Sequence, residues 1–206
     1  MKQPDRFSLP NPGLYPREKP RHTESYAEPK VYNSLKDNLP EGWYAWHSLS
    51  IHGEDTGEFG ETDFVIAIPN RPAILLMEVK GGHIEQRDGR WFQNNKPITP
   101  LDQAHTFKRK LLTRLKEKDF VRSEIPQIGL CFCFSDTAFS NQPTQDGMNG
   151  VTIGKESLPY LDKILRDIVG RSIPKPYPVK GDEWINYLSE PIQVPCQFSP
   201  RSFNNS

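Results

Sequence analysis

Two apolar runs joined by a four-residue turn constrain the fold of this chain more than any other feature. The runs are "ETDFVIAI" at residues 61–68 and "AILLMEVK" at residues 73–80, and "PNRP" lies between them. Short apolar runs bounded by Pro and Asn are typical of buried β-strands. The two runs therefore predict a buried antiparallel hairpin in which Ile68 faces Ala73.

Polar residues at the open end of this hairpin interrupt the apolar pattern. Counting outward from the turn places Asp63 opposite Glu78, with about 5 Å between their Cβ atoms. Lys80 shares that face because side chains alternate with a period of two along a strand. Facing carboxylates repel unless a positive charge lies between them, and Mg²⁺ is usually held by one or two carboxylates together with substrate phosphates. The pattern indicates a metal site that acts on phosphates; surface ion pairs are the alternative interpretation.

A basic helix is predicted to follow the hairpin. Residues 104–124 hold seven Lys or Arg against three acids. At 100° per residue, Lys110 and Arg114 each lie within about 20° of Gln103, which is at the edge of the apolar stripe. Beside the acidic pair, this edge favours a groove for a phosphate backbone, whereas a solvated helix edge explains the same residues equally well when they are taken alone. The side chains assigned to this groove are Lys108, Lys110 and Arg114.

The remaining patterns predict one mixed α/β (α+β) sheet with helices packed on it, since no internal repeat occurs. The hairpin "HIEQRDGRWF" should turn at Asp88 and Gly89. The expected elements are a helix over residues 25–36, strands over 43–49, 62–68 and 73–79, the hairpin over 83–92, a helix over 101–116, strands over 128–134 and 151–153, and a helix over 157–169.

Proline placement predicts the domain boundaries. Eleven of the 20 prolines lie in residues 1–20 and 174–206, which indicates extended ends around a folded centre. The expected organisation is a Pro-rich N-terminal arm (1–22), one domain (23–173) and a Pro-rich C-terminal tail (174–206). The tail carries an apolar segment around Trp184 that docks either on the domain or on a partner.

Composition narrows the class of protein further. No stretch approaches the roughly 18–20 apolar residues that span a bilayer, and the N-terminus lacks the apolar core of a signal peptide. The three cysteines, two of them in "LCFCF", fit reduced thiols better than a disulfide framework or a zinc site. We therefore expect a cytoplasmic protein with no membrane partner and no cofactor other than a metal ion.

The order of the polar residues resembles a known superfamily. Asp63, then fourteen residues, then Glu78, Val79 and Lys80 is similar to the PD-(D/E)XK phosphodiesterases. The segments "SYAEPKVYNSLKDNLPEGWYAWHSL", "ETDFVIAIPNRPAILLMEVKGGHI", "GRWF" and "PLDQAHTFKRKLL", over roughly residues 25–115, narrow the resemblance to the nuclease-related domain (NERD) family. The tripeptide E-x-K alone is a weak signal. The ordered set that carries the resemblance is Glu28, Asp63, Glu78, Lys80 and Gln103.

This resemblance implies a restriction-endonuclease-like core with a metal centre. Asp63 and Glu78 would be ligands of Mg²⁺ or Mn²⁺, and the backbone carbonyl of Val79 would be a third ligand. Lys80 would lie beside the attacking water. These roles are implied by the family and not by the spacing itself.

Glu28 and Gln103 would complete the catalytic set, Glu28 from the first helix and Gln103 from the helix after the sheet. For Glu28 another interpretation stays open. Ser25 and Glu28 form the S-x-x-E pattern of a capping box, in which both side chains satisfy free amides of a first helical turn. Pro29 complicates both interpretations, because it removes an early backbone donor or makes Glu28 itself the cap.

The expected function is a metal-dependent nuclease that hydrolyses phosphodiester bonds of nucleic acid, with DNA favoured over RNA. Two alternatives remain open. One is a NERD module that binds nucleic acid or a helicase without turnover. The other is an accessory module of a helicase or ATPase, because family members are often fused to such domains and this chain has no Walker-type loop of its own.

Overall fold

The computed structural model describes residues 9–52, 59–139, 151–175 and 177–189, apart from the side chains of residues 52 and 59. Half of the acidic run at residues 51–63 lies outside these ranges. The elements in chain order are β1 (Gly13–Tyr15), α1 (Glu28–Asn38), β2 (Tyr44–His52), β3 (Phe59–Ile68), β4 (Ala73–Lys80), β5 (Ile84–Arg87), β6 (Arg90–Gln93), β7 (Lys96–Ile98), α2 (Pro100–Glu117), β8 (Gln127–Phe134), β9 (Thr152–Gly154), α3 (Leu161–Ser172) and α4 (Glu183–Ser189).

The main sheet has six strands in the order β1-β2-β3-β4-β8-β9. The strands β2, β3 and β4 are antiparallel neighbours, whereas β1 runs parallel to β2 and the pairs β4–β8 and β8–β9 are parallel. A separate antiparallel sheet holds β5, β6 and β7. This mixed sheet with flanking helices is consistent with a restriction-endonuclease-like core, as predicted.

The register of the central hairpin follows the turn. Ile68 pairs with Ala73 across "PNRP", and the ladder continues to Phe64 and Met77. The predicted register is confirmed over these pairs. The hairpin of β5 and β6 is confirmed as well: Asp88 and Gly89 have φ angles of 49° and 72°, the conformation that two-residue hairpin turns require.

Helices cover both faces of the main sheet, which explains why its central strands are apolar at almost every position. One face packs against α1 and α3, through residues that include Val31 and Leu165. The other face packs against α2 and α4, through residues that include Leu111 and Trp184. The two faces are called the α1 face and the α2 face below.

Described parts of the predicted N-terminal arm and C-terminal tail contribute to this core. Leu14 of β1 is buried on the α1 face, and Tyr15 stacks on Trp46 with ring centroids 6.3 Å apart. In the tail, Trp184 and Leu188 of α4 are buried on the α2 face. The apolar segment of the tail therefore docks on the domain, the first of the two alternatives considered for it. Within the described residues, no helix is both long and apolar enough to cross a membrane.

The first and the last predicted helix differ from the sequence prediction at both ends, since α1 spans Glu28–Asn38 instead of 25–36 and α3 spans Leu161–Ser172 instead of 157–169. The first helix begins at Glu28 instead of residue 25, with Pro29 in its first turn, where the missing N–H of proline leaves no hydrogen bond unmade. The last long helix runs through Gly170 to Ser172. Gly170 does not stop it because Ile173 continues the turn, donating its backbone N–H to the carbonyl of Val169, and is itself buried.

Candidate metal centre

Regular pairing between neighbouring strands is interrupted at one level of the sheet. Ser48 and Asp63, both inside described strands, are left out of the ladder between β2 and β3. Ser48 has a φ of 51°, and the ladder between β3 and β4 ends just before Asp63 would meet Glu78. The backbone N–H of Val79 donates to Asp63 Oδ2 at 2.6 Å. The Asp63 carboxylate thus accepts a hydrogen bond from a backbone N–H of the neighbouring strand β4.

The interruption also changes which side chains share a face. Before it, Trp46 and Val65 lie on the α2 face; beyond it, Leu49 lies there although strict alternation from Trp46 would send it to the other side. Thr62 pairs with Leu49 and therefore reaches the same face. Its hydroxyl donates to Glu78 Oε1 at 3.1 Å. Glu78 consequently has a neutral donor that the period-two pattern does not predict.

The α2 face carries an open cavity of about 460 Å³ at this level. We call it the acidic cavity because Asp63 and Glu78 lie at its base. Three further predicted site residues reach it, Lys80 from β4 and Gln103 and Lys110 from α2. The residues that line it are Gly60, Glu61, Asp63, Glu78, Lys80, Asp102, Gln103, Thr106, Phe107 and Lys110. The structure thus brings five predicted site residues together, while their chemical roles stay predictions.

Burial and mutual repulsion make the two carboxylates hard to ionise. Burial raises the pKa of Asp63 to about 7, and the negative charge of Glu78 adds to the rise. Burial likewise raises the pKa of Glu78, which is 5% exposed. Lys80 opposes both shifts, with its Nζ 3.6 Å from Glu78 Oε2, but one ammonium does not offset two buried carboxylates. The acidic cavity is therefore short of positive charge at neutral pH.

The donor set suits a hard divalent cation. Two carboxylates that repel each other would both be stabilised by an ion between them, and Mg²⁺ takes oxygen ligands while keeping several waters. Among the described residues, no group of three or more His, Cys, Asp or Glu side chains could hold a metal ion. The described side chains of these types would therefore supply at most two ligands, and water or substrate would supply the others. The Val79 carbonyl stays a prediction as a third ligand, next to the N–H that Asp63 accepts.

Gly60 leaves room for the basic side of the cavity. A Cβ atom at this position would lie 2.9 Å from Cδ of Lys110, closer than real side chains approach. The glycine in β3 thus lets the stem of Lys110 cross the strand, with Phe107 beneath it as part of the buried stripe of α2. This contact places a cation on the same cavity as the two carboxylates.

Two of the predicted phosphate-binding residues lie elsewhere. Neither is among the described side chains that line the acidic cavity. Lys108 donates to the backbone carbonyl of Ile128 on the other flank of α2. Arg114 Nη1 lies 3.1 Å from the carboxylate of Glu117, one turn further along the helix from Lys110. The structure therefore supports a shorter basic edge than the sequence pattern indicates.

Glu28 lies behind the sheet, on the α1 face, and does not line the acidic cavity. Thr23 donates its hydroxyl to Glu28 Oε1 at 2.6 Å, and His47 Nε2 lies 2.9 Å from Oε2. A capping box with Ser25 is not formed: the Ser25 N–H donates to Thr23 and the Ser25 hydroxyl accepts from Ala27. The capping-box interpretation is therefore wrong, whereas the catalytic role implied for Glu28 stays a prediction.

The hydrogen bonds of His47 fix its tautomer. The backbone N–H of Arg21 donates to Nδ1 at 3.0 Å, so Nδ1 must carry a lone pair and Nε2 carries the proton. That proton is donated to Glu28. Burial favours a raised pKa for Glu28, but the hydrogen bonds from His47 and Thr23 outweigh it, and its pKa is lowered. The charge of Glu28 in turn helps to raise the pKa values of Asp63 and Glu78.

Thr62 and His47 are the site residues that the sequence analysis missed. Thr62 precedes Asp63, and alternation assigns it to the opposite face. His47 is fully buried between Tyr32 and Phe64, with ring centroids 5.8 Å and 4.8 Å away. A histidine inside an otherwise apolar strand indicates a buried polar partner, but the sequence of the strand does not identify that partner.

Comparison with models of known protein families gives a match. The family model described as the nuclease-related domain, NERD, matches residues 23–132, just over half of the chain. The matched region contains the acidic cavity, Glu28 with its partners, and the strands β2 to β4 with most of β8. A search of curated proteins finds no match.

Proposed function

This chain belongs to the nuclease-related domain (NERD) family, and on that premise we propose that it is a divalent-metal-dependent nuclease that hydrolyses phosphodiester bonds, with DNA as its substrate. The observation that carries the proposal is the acidic cavity: two buried carboxylates with raised pKa values lie beside Lys80 and under a basic helix edge. Perturbed carboxylates of this kind concentrate at functional sites.

Asp63 and Glu78 would hold Mg²⁺ or Mn²⁺. When bound, the ion polarises a phosphoryl oxygen and lowers the pKa of a water. Thr62 and the Val79 N–H orient the two carboxylates through their hydrogen bonds. Ordered donors of this kind hold ligands in position before the ion arrives.

Lys80 is the cation nearest to the reacting phosphate in this scheme. Its ammonium is held near Glu78 and can orient the attacking water or stabilise negative charge that develops on the phosphorane. Gln103 and Lys110 line the same cavity from α2 and would hold the phosphate backbone. Substrate binding and charge stabilisation are thereby assigned to different side chains.

The test is a cleavage assay with purified protein on circular and linear DNA, in Mg²⁺, in Mn²⁺ and in EDTA. Cleavage of circular DNA in either metal and its absence in EDTA are expected for an endonuclease. Asp63→Asn should remove it. The matched control is Asp167→Asn on α3, which is exposed and should cleave normally. Metal-independent cleavage, or a fully active Asp63→Asn, would refute the proposal.

A second candidate function is a nucleic-acid-binding or helicase-associated module without turnover. It is favoured because the described residues include no group of three or more His, Cys, Asp or Glu that could hold a metal ion, although Glu61 and Asp102 also line the acidic cavity. In that case DNA binding would persist in Ca²⁺ and depend on Lys110, no metal would support cleavage, and a helicase or ATPase would be the partner that supplies activity.

A further inference from the structure

A second cavity lies on the other flank of α2. It measures about 510 Å³ and lies between α2, the start of β8 and the segment that follows α3. Lys110 lines the acidic cavity and Lys108 lines this one. Two residues along a helix correspond to a rotation of about 200°, so neighbouring lysines point to opposite flanks. The two cavities are therefore separate sites.

Three cations line this second cavity, which we call the basic cavity: Lys108 from α2, Arg122 from a 3-10 turn and Lys175 from the segment after α3. The described residues that line it include no Asp or Glu. Cations that line one cavity without a carboxylate among them repel one another. An anionic ligand would remove that repulsion.

Lys108 is the most informative of the three. Its ammonium is half-buried, and burial lowers its pKa. It donates to the carbonyl of Ile128, yet an ammonium has three N–H donors. A half-buried ammonium whose partner is a neutral carbonyl gains more from a nearby anion than an exposed lysine does, because water screens it less.

The rest of the lining is apolar or neutral. Leu112, Pro126 and the ring of Tyr177 form part of the wall, and the hydroxyl of Tyr177 is tied to the carbonyl of Ile125 at 2.8 Å. The side-chain oxygen of Gln127 is buried without a hydrogen-bond partner. Because that oxygen is itself out of reach of solvent, the apolar wall is what a bare phosphate would leave uncovered.

We propose that the basic cavity binds a nucleoside 5′-monophosphate unit, either as a free nucleotide or as the phosphorylated end of a nucleic acid strand. The phosphate would lie among Lys108, Arg122 and Lys175. The nucleoside would pack on the apolar wall. The cavity volume of about 510 Å³ falls within the range of about 300–1,000 Å³ typical of small-ligand sites. This site does not depend on the proposed nuclease activity.

Calorimetric titration of the full chain in EDTA tests the proposal, with 5′-AMP, adenosine and inorganic phosphate as probes. 5′-AMP should bind at least about tenfold more tightly than either of the other two, because only it engages both parts of the cavity. Arg122→Gln and Lys175→Gln should each weaken 5′-AMP binding about tenfold, the expected loss for one charge-assisted contact. Both residues are exposed, so the fold should tolerate these changes.

Lys116→Gln is the matched control, since Lys116 is exposed on α2 and is not among the described residues that line the cavity. It should leave 5′-AMP binding unchanged. Equal weakening by Lys116→Gln, or 5′-AMP binding no tighter than that of adenosine and phosphate, would overturn the proposal.

Short oligonucleotides distinguish the two sources of the ligand. A 5′-phosphorylated strand that binds more tightly than its 5′-hydroxyl twin, with the difference lost in Arg122→Gln, would assign the cavity to strand ends. Binding of 5′-AMP with no difference between the two strands would assign it to free nucleotides. Binding of neither would refute the site, whether or not the protein cuts DNA.

Discussion

The two faces of the main sheet hold buried carboxylates whose pKa values shift in opposite directions. On the α1 face, Glu28 accepts hydrogen bonds from Thr23 and His47, and its pKa is lowered. On the α2 face, burial raises the pKa of Asp63 to about 7 and also raises that of Glu78. All three side chains are largely removed from water, so burial alone does not explain the difference.

The partners of each carboxylate explain it. Glu28 accepts hydrogen bonds from two side chains, whereas Asp63 and Glu78 repel each other, accept one neutral donor each and share one ammonium, that of Lys80. A satisfied carboxylate such as Glu28 stabilises the fold around it, as buried hydrogen-bonded groups do. A pair of carboxylates that repel each other lowers stability. From this comparison we expect Glu28 to support the fold, and we propose a functional role for Asp63 and Glu78.

The largest expected effect is loss of cleavage in Glu78→Gln. Activity should fall by more than about a hundredfold, since the proposed ligand itself is lost and changes to residues that only orient a ligand already cost about 10–100-fold. The melting temperature in EDTA should stay the same or rise, because the amide removes the repulsion with Asp63. A thermal melt and a cleavage assay on one preparation measure both. A marked loss of stability would instead make Glu78 a structural partner of Lys80.

The metal-free protein should become less stable as pH rises. Asp63 has a folded pKa of about 7 against 3.8 for the unfolded chain, so between these values the folded state holds a proton that the unfolded state has released. Unfolding is then favoured by rising pH, on the order of 2–4 kcal/mol between pH 4 and pH 7. Urea denaturation in EDTA at several pH values measures the slope. Asp63→Asn should flatten it, and an unchanged slope would contradict the assignment.

Glu28→Gln should lower the free energy of unfolding at pH 7 by about 1–3 kcal/mol. The reason is that Thr23 and His47 would lose a charged acceptor in a buried site. Glu41→Gln, at an exposed position before β2, is the control. Because the pKa of Glu28 is lowered, its contribution should be complete above the unfolded value of 4.5 and disappear as pH falls through the folded pKa. Equal stability of Glu28→Gln and wild type would show that Glu28 does not stabilise the fold, and would contradict the contrast drawn with Asp63 and Glu78.

The smallest effect concerns the helix edge. Lys110→Ala should weaken DNA binding and reduce the slope of log affinity against log salt by about one unit, as expected when one phosphate contact is lost. Arg114→Ala should change the slope less, since Arg114 contacts Glu117 and lies outside the acidic cavity. Titrating labelled DNA with Ca²⁺ in place of Mg²⁺ measures both slopes. A larger change for Arg114→Ala would indicate that the phosphate-binding groove lies further along α2, next to Arg114.

The sequence alone determined what depends on near neighbours along the chain. The turn "PNRP" and the apolar runs beside it were enough for the register from Ile68–Ala73 to Phe64–Met77. The pair Asp88 and Gly89 located the second hairpin. The spacing of polar residues among the apolar runs brought Asp63 and Glu78 to one cavity. Strand alternation and turn chemistry are local, and they hold wherever the ladder is regular.

Only the tertiary structure decided what depends on long-range contacts. The positive φ of Ser48 resets the alternation and turns Thr62 toward Glu78. The contact of Glu28 with His47 requires α1 to cross β2. Neither strand alternation nor helical periodicity contains this information, because each describes one element at a time. The charge of a buried carboxylate depends on donors from several elements, so the opposite behaviour of Glu28 and Asp63 appears only when those elements pack.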